Sequence, residues 1–218
     1  MNLLAIDTSS NACSVALQFD RDVTEKHVVE PREHTRLLMP MITEILAGRA
    51  PAELDAIVLG NGPGSFIGMR IGASVAQGIA HAAGLEIIPV SSMAAVASEV
   101  LAGADEDRAI VAQDARMSEV YVGVYRRNEA GAVVHDGDEY IHVVGSLPLQ
   151  SNGLLAAGGA WKRYPELLPA NNAKISGLSS IEYPRAYFLL TLADAAGALP
   201  PDQLVPAYLR SKVAERPA

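Results

Sequence analysis

The stretch that decides the fold is LLAIDTSSNACSVALQF, residues 3–19. It opens with an apolar run that ends in Asp7, a pattern typical of a buried β-strand. Turn-forming residues follow at Thr8-Ser-Ser-Asn11, and the alternating segment 12–19 predicts a second strand. The stretch therefore predicts a β-hairpin with a carboxylate at the end of its first strand.

The same pattern returns in the second half of the chain. Residues 108–125 read RAIVAQDARMSEVYVGVY, which is an apolar run ending in Asp114, a short turn and an alternating segment. The segments 7–15 and 114–122 have the same spacing. This favours a duplication of one strand–Asp–hairpin unit, and a chance similarity between two such segments is the alternative.

Strands and helices alternate around this repeat, which indicates an α/β protein. The first half predicts strands over 23–30, 54–60 and 86–90, and helices over 33–48, 66–84 and up to Gly103. The second half predicts a strand over 139–144, a strand entering a short helix over 154–161, and a helix over 184–197. The acidic spacer at 104–107 divides the chain into lobe one, residues 1–103, and lobe two, residues 104–218, whose tail can pack back on lobe one.

The composition excludes several classes of protein. Of 218 residues, 50% are hydrophobic and 19% are charged, which excludes intrinsic disorder. A net charge of −8 is not the basic footprint of a protein that grips nucleic acid by itself. No apolar run reaches the roughly 18 residues of a membrane span, and the single Cys13 cannot form an internal disulfide. We expect a soluble, cytoplasmic protein with no membrane contact.

The strongest local signal is GNGPGSFIG, residues 60–68. A strand, a glycine-rich turn and a helix capped by Ser65 would together aim backbone N–H groups at an anion. The loop lacks the lysine of a P-loop, however, and Gly62, Gly64 and Gly68 are spaced one residue too far for GxGxxG. From this spacing, an anion site and a purely structural turn both remain open.

The helix after this loop carries a ridge of small residues at every fourth position: Gly68, Gly72, Ala76, Ala80 and Gly84. An interior glycine costs a helix up to about 1 kcal/mol relative to alanine, so the ridge predicts a close approach by another backbone. That backbone belongs either to the chain's own sheet or to a partner's helix. Apolar stripes beside the ridge and on the preceding helix favour an intermolecular face.

Asp7 and Asp114 end their strands beside turns, where a carboxylate either holds a metal ion or water or caps its own turn. The 5 histidines show neither HxxxH nor HExxH spacing, and the chain has 1 cysteine. We therefore expect no metal site.

Several blocks of the sequence resemble the bacterial TsaB (YeaZ) family, and together they span nearly the whole chain. They are LAIDTSSNACSVAL at 4–17, PREH at 31–34, GPGSFIGMRIG at 62–72, AQG at 76–78, DARMSEVY at 114–121 and YLR at 208–210. One departure is Ile67, where the family usually has threonine. A related family label, glycoprotease or peptidase M22, would imply proteolysis, but neither a nucleophile nor a metal set supports it.

The resemblance implies two duplicated RNase H-like lobes of the actin, sugar-kinase and Hsp70 (ASKHA) superfamily, whose members bind ATP between the lobes. It also implies a non-catalytic subunit of the complex that forms N6-threonylcarbamoyladenosine in tRNA beside the anticodon. The implied partners are the catalytic TsaD, the ATPase TsaE and, for the chain alone, a second copy. The complex would use ATP or ADP, whereas this chain would have no cofactor of its own and would contact tRNA only indirectly.

The resemblance places the partner interface on the two helices with apolar stripes. We expect it at Arg32, His34, Leu37, Leu38, Met41, Ile45, Met69, Gly72, Val75 and Ala76, and we expect Gly72→Leu to abolish pairing. A vestigial anion or nucleotide site is expected at Asp7, Thr8, Gly62, Gly64, Ser65 and Asp114. The alternative function is a nucleotide-hydrolysing enzyme of the same fold that uses the loop at 60–65.

Overall fold

The computed structural model describes residues 1–209, which form two β-sheets and six α-helices. The first sheet contains β1 (Leu3–Asp7), β2 (Ala12–Phe19), β3 (Asp22–Val29), β4 (Ala56–Gly60) and β5 (Glu86–Val90). The second contains β6 (Arg108–Arg116), β7 (Glu119–Arg127), β8 (Val133–His135), β9 (Tyr140–Val143), β10 (Leu154–Ala157) and β11 (Ile175–Leu178). The helices are α1 (His34–Leu46), α2 (Phe66–Ala83), α3 (Ser92–Ala102), α4 (Ala160–Arg163), α5 (Leu167–Asn171) and α6 (Ala186–Leu192).

The two sheets have the same topology. In the first, the order is β3-β2-β1-β4-β5, with β1, β2 and β3 antiparallel and with β4 and β5 parallel to β1. In the second, the order is β8-β7-β6-β10-β11, with the same relative directions. Each of the five strands of the first sheet therefore has a counterpart in the second, β6 being that of β1, and β9 is an additional strand that pairs with β7. This confirms the predicted duplication and gives two RNase H-like lobes.

Successive residues of a strand point to opposite sides of the sheet, and helices cover both sides of the first sheet. Leu4 and Ile6 of β1 pack into the cluster that contains α1 and α2, whereas Leu3 and Ala5 pack with α6. Alanines at this second face let α6 lie close to the sheet. α3 packs against the second sheet through the cluster that includes Ala109 of β6. The helices α3 and α6 thus contact each other between the lobes.

The division of the chain at residues 103 and 104 stays a prediction. The structure adds that α6, which comes from the second half of the chain, packs on the first sheet. The helix predicted over 184–197 is shorter, because α6 ends at Leu192 and continues as a 3-10 turn over Ala193–Ala195. The elements β8, α5 and β11 are three to five residues long and carried too short a pattern for prediction.

Candidate functional site

A cleft of about 1170 Å³ lies between the two lobes. The first hairpin turn lines it at Ser9, Ser10 and Asn11, and the equivalent turn of the second lobe lines it at 114–117. The glycine-rich loop and the first turn of α2 complete the wall on the side of the first lobe. The duplication therefore brings the two predicted strand-end aspartates to the same region, one in each lobe.

Asp7 is turned into the protein rather than toward the cleft. Its carboxylate oxygen Oδ1 accepts hydrogen bonds of 2.8 Å from both the backbone N–H and the hydroxyl of Ser9. The side chain is 1% exposed, and burial raises the pKa of Asp7, outweighing the lowering effects of the nearby Ser92 and Ser9 hydroxyls. Gly60 leaves room for this carboxylate, because a Cβ at residue 60 would lie 1.9 Å from Asp7 Oδ2. In this position Asp7 caps its own turn.

Asp114 has the same role in the second lobe but is more accessible. Its Oδ1 accepts hydrogen bonds from the backbone N–H of Arg116 at 2.8 Å and from the hydroxyl of Tyr164 at 2.9 Å. The guanidinium of Arg116 also lies 3.3 Å from its Oδ2. The turn has left-handed backbone at Arg116, Met117 and Ser118, with φ of 67°, 55° and 56°. This conformation is uncommon for residues with a Cβ, and Asp114 stabilises it by bonding to the backbone of the turn.

The glycine-rich loop packs directly on the first hairpin turn. The backbone N–H of Ser65 donates to the carbonyl of Ser9 at 2.6 Å, and the hydroxyl of Ser65 caps α2 by accepting from the N–H of Gly68 at 3.3 Å. A Cβ at Gly64 would lie 2.2 Å from the Ser9 carbonyl oxygen. The absence of a side chain at Gly64 is therefore required by contact within the chain.

The ridge of small residues on α2 also packs within the chain. A Cβ at Gly68 would lie 2.0 Å from the carbonyl oxygen of Thr8. A Cβ at Gly72 would lie 2.5 Å from Thr8 Oγ1, so glycine at this position leaves room for the threonine hydroxyl. Ala76 and Ala80 are fully buried in the same core cluster. At Gly68 and Gly72 the close approach comes from Thr8 of the chain's own first hairpin, whereas a Cβ at Gly84 would meet no atom of residues 1–209 within 4 Å. The effect of Gly72→Leu on pairing stays a prediction, and the structure adds that the new side chain would also disrupt this internal contact.

The structure separates the predicted interface residues into two groups. Seven of them are buried in the chain's own core and support the helices from within: His34, Leu38, Met41, Ile45, Met69, Gly72 and Ala76. His34 lies inward because its Nε2 is 3.2 Å from the carbonyl oxygen of Ala12. Arg32 is exposed, and Leu37 and Val75 are half-buried, so these three are the members that a partner could contact.

A different set of α2 residues faces outward. Ile67 is 70% exposed, Ser74 and Gly78 are exposed, and Ile71 and Val75 are half-buried. We call these five residues the outer helix face. A Cβ at Gly78 would meet no other atom within 4 Å. Unlike Gly68 and Gly72, Gly78 is therefore not required by any contact within the described part of the chain.

A segment near the end of the described chain crosses α2 beside this face; we call residues 199–208 the strap. Gln77 Nε2 donates to the carbonyl of Pro201 at 2.8 Å. Arg70 Nε donates to the hydroxyl of Tyr208 at 3.0 Å while its guanidinium lies 3.6 Å from the centroid of the Phe66 ring. These contacts give roles to Arg70 and Gln77, two motif residues for which no role was predicted. The polar Gln77 within an apolar helix was the signal in the sequence that could have indicated such a contact. Arg210, the end of the YLR motif, lies outside the described residues.

A metal site and a membrane-spanning helix were both expected to be absent, and the structure describes residues 1–209. In that range no three His, Cys, Asp or Glu side chains are grouped so that they could hold a metal ion. In the same range no helix has both the length and the apolar character to cross a bilayer.

Comparison with known proteins gives consistent relatives over almost the full length. A family model described as "TsaD: tRNA N6-adenosine threonylcarbamoyltransferase" matches residues 28–182. The tRNA threonylcarbamoyladenosine biosynthesis protein TsaB of Haemophilus influenzae is 33% identical, over 98% of this chain and 95% of that protein. The TsaB protein of Escherichia coli is 36% identical, over 98% of this chain and 96% of that protein.

Solved structures agree with these sequence relatives. A solved structure of YeaZ from Pseudomonas aeruginosa superposes with a TM-score of 0.86 at 33% identity, covering 95% of this chain and 99% of that chain. The similarity therefore extends over both lobes and covers the residues that line the inter-lobe cleft and the helices α1 and α2.

Proposed function

Since this chain belongs to the TsaB family of tRNA threonylcarbamoyladenosine biosynthesis proteins, we propose that it is a non-catalytic subunit that pairs with the catalytic TsaD protein and activates it. In this proposal TsaE joins the complex, and the complex rather than this chain uses ATP or ADP. Other subunits supply most of the grip on tRNA. The chain alone pairs with a second copy of itself, and it acts in the cytoplasm.

The observation that carries the pairing proposal is the outer helix face. Ile67 is 70% exposed in the first turn of α2, although burying an isoleucine side chain is worth roughly 1.5–3 kcal/mol. Gly78 weakens the same helix by up to about 1 kcal/mol relative to alanine, and no neighbour among residues 1–209 requires a glycine there. Both features are explained if the helix of another subunit packs closely along this face.

The position of Asp7 supports a non-catalytic role. A nucleotide-hydrolysing enzyme would need this carboxylate to reach a metal ion or a water in the cleft, yet Asp7 is buried and bonded to Ser9. The N–H of Ser9, which could have bound a phosphate, is also occupied by this bond. In the loop itself, the N–H groups of Gly62 and Ser65 are bonded to Ser92 and Ser9, so these donors do not support the alternative of a catalytic phosphate site at 60–65.

The test measures how much threonylcarbamoyl the purified proteins TsaC, TsaD and TsaE incorporate into tRNA, with and without this chain. We expect activity only when the chain is added. Gly78→Leu should lower activity and weaken TsaD binding at least about tenfold, because the added side chain prevents close helix packing. Gly103→Leu is the matched control, since Gly103 is also exposed, has a φ of −107° and has no atom within 4 Å of its Cβ position. Equal activity without the chain would refute the proposed function.

A further inference from the structure

The cleft is electropositive although the protein as a whole is acidic. Its wall contains the cationic residues Arg32, Arg116, Lys162 and Arg163, against the acidic residues Asp114 and Glu182, in a chain of net charge −8. Two of the cations are paired, Arg116 with Asp114 and Lys162 with Glu182. The other two, one from each lobe, have no acidic partner within residues 1–209.

These two arginines are both exposed at the surface. Arg32 is exposed and lies in the turn between β3 and α1, with left-handed backbone at φ 69°. Arg163 ends α4, is exposed, and lies with its guanidinium 5.5 Å from the centroid of the Tyr164 ring. An acidic group entering the cleft would therefore find one unpaired guanidinium on each wall.

The cleft is continuous with the outer helix face. Ile67 and Ile71 belong to that face and also line the cleft, together with Thr35 of α1. Phe66, which is half-buried, lines the cleft beside Ile67. Met69 and Met93 lie behind this wall and are almost fully buried, so the apolar contact surface is formed by Ile67, Ile71 and Phe66. A protein lying along the outer helix face would thus have its nearest segment at the mouth of a cleft with an apolar wall and cationic sides.

The same observations disfavour a nucleic acid as the occupant. Phosphate binding needs several free cations, because affinity for nucleic acid grows with the number of phosphates neutralised. Only two unpaired arginines line the cleft among the described residues, and the surrounding chain is acidic. The apolar wall would remain without a function in such a complex.

We infer that the inter-lobe cleft receives an extended segment of the partner protein that carries both acidic and large apolar side chains. This inference rests on the proposed function, since the segment belongs to the subunit that packs on the outer helix face. Its acidic groups pair with Arg32 and Arg163, and its apolar groups pack on Ile67, Ile71 and Phe66. The partner then contacts both lobes and not only the two helices.

The experiment measures binding of purified TsaD from the same organism to the full chain at about 50 mM and about 300 mM salt, where screening differs strongly. The test variant is Arg32→Glu with Arg163→Glu. The control is Arg21→Glu with Arg126→Glu, which makes the same change of net charge at exposed positions that do not line the cleft. We expect the test variant to bind at least about tenfold more weakly at low salt, and the control to change by less than about threefold. The difference should shrink at high salt.

A photo-crosslinking residue in place of Ile67 identifies the contacting segment of TsaD by mass spectrometry. A crosslinked stretch with acidic and large apolar residues supports the inference. Equal binding of the test and control variants overturns it, as does a test variant that keeps TsaD binding but loses binding of labelled tRNA or ATP. If the unmodified chain does not bind TsaD at all, the proposed function itself fails. If the unmodified chain binds TsaD and only the cleft variants give the wrong result, this inference alone fails.

Discussion

The hydroxyl of Thr8 donates a hydrogen bond of 2.7 Å to the carbonyl of Gly68, which ties the first hairpin turn to the first turn of α2. Thr8 and Gly68 are both buried, so the bond forms away from water. The backbones come so close that a Cβ at residue 68 would lie 2.0 Å from the Thr8 carbonyl oxygen. The contact fixes the position of α2 relative to the turn and thereby shapes one wall of the inter-lobe cleft.

Gly68→Ala should therefore destabilise the protein, by about 1–3 kcal/mol in the free energy of unfolding. Helix propensity alone would favour alanine by up to about 1 kcal/mol, so the sign of the change shows which effect dominates. The nearest obstacle is a backbone oxygen, which cannot move away as the end of a flexible side chain could. Urea denaturation followed by circular dichroism measures the difference.

The matched variant on the same helix is Gly78→Ala, for which we expect the opposite sign. Its Cβ would meet no atom within 4 Å, so the gain in helix propensity should stabilise the protein by about 0.5–1 kcal/mol. If alanine stabilised the protein at both positions, the packing of Gly68 on Thr8 would not be as described.

Much of the fold could be predicted because the residues that determine each hairpin unit lie close together in the sequence. The strand–Asp–hairpin repeat at Asp7 and Asp114 predicted two equivalent lobes, and the two sheets have equivalent strand orders. The backbone that packs on the glycine ridge could not be predicted in this way. A small-residue ridge indicates that something approaches closely, but Thr8 is 60 residues away from Gly68 in sequence, and only the folded chain shows which backbone fills the space.

The candidate interface shows the same limit. The apolar stripes led us to place it on two helices, but a side chain at helical spacing can face the core or the solvent. Leu38 and Ala76 turned out to be fully buried, whereas Ile67 and Gly78 face outward. A tail that packs back on lobe one was among the expectations, but the contact of Gln77 with Pro201 could not be predicted, because it joins residues 124 positions apart.

Asp7→Asn tests both the stability and the role of the buried carboxylate. Burial raises the pKa of Asp7 in the folded state, so the folded protein favours the protonated form. This contribution to stability is present at low pH and is lost as the pH rises through the raised pKa. Asparagine keeps an oxygen that can accept from Ser9 but cannot ionise. We expect the variant to become increasingly stable relative to the unmodified protein between about pH 4 and about pH 8.

The free energy of unfolding is measured by urea denaturation across this range, with Asp105→Asn at an exposed position as the control. A variant less stable than the unmodified protein at high pH would mean that the carboxylate is needed in its charged form. The tRNA modification assay gives the second readout. A non-catalytic subunit should keep its activity with Asp7→Asn, whereas a nucleotide-hydrolysing enzyme should lose most of it.

Cys13 should be chemically inert in the folded protein. It is fully buried in β2, and burial, aided by the nearby charge of Asp7, raises the pKa of its thiol to about 12. Because only the thiolate reacts quickly with alkylating reagents, the reaction should require unfolding. We expect no labelling by iodoacetamide at about pH 8 in native buffer and complete labelling in denaturant. Rapid labelling of the native protein would show that β2 opens, or that the site is accessible.

Gln77→Leu should loosen the strap while leaving the core of α2 intact. The amide of Gln77 donates to the carbonyls of Pro201 at 2.8 Å and Leu204 at 3.4 Å, and leucine has a similar size but no donor. Loss of these bonds should cost about 1 kcal/mol in the free energy of unfolding. It should also speed amide hydrogen exchange at Leu199 and Leu204, whose N–H groups bond to Ile87 and Pro201. Because Leu204 is itself buried, part of the strap should stay attached through its apolar contact. Unchanged exchange at both residues would mean that this contact alone holds the strap, and that Gln77 is not its anchor.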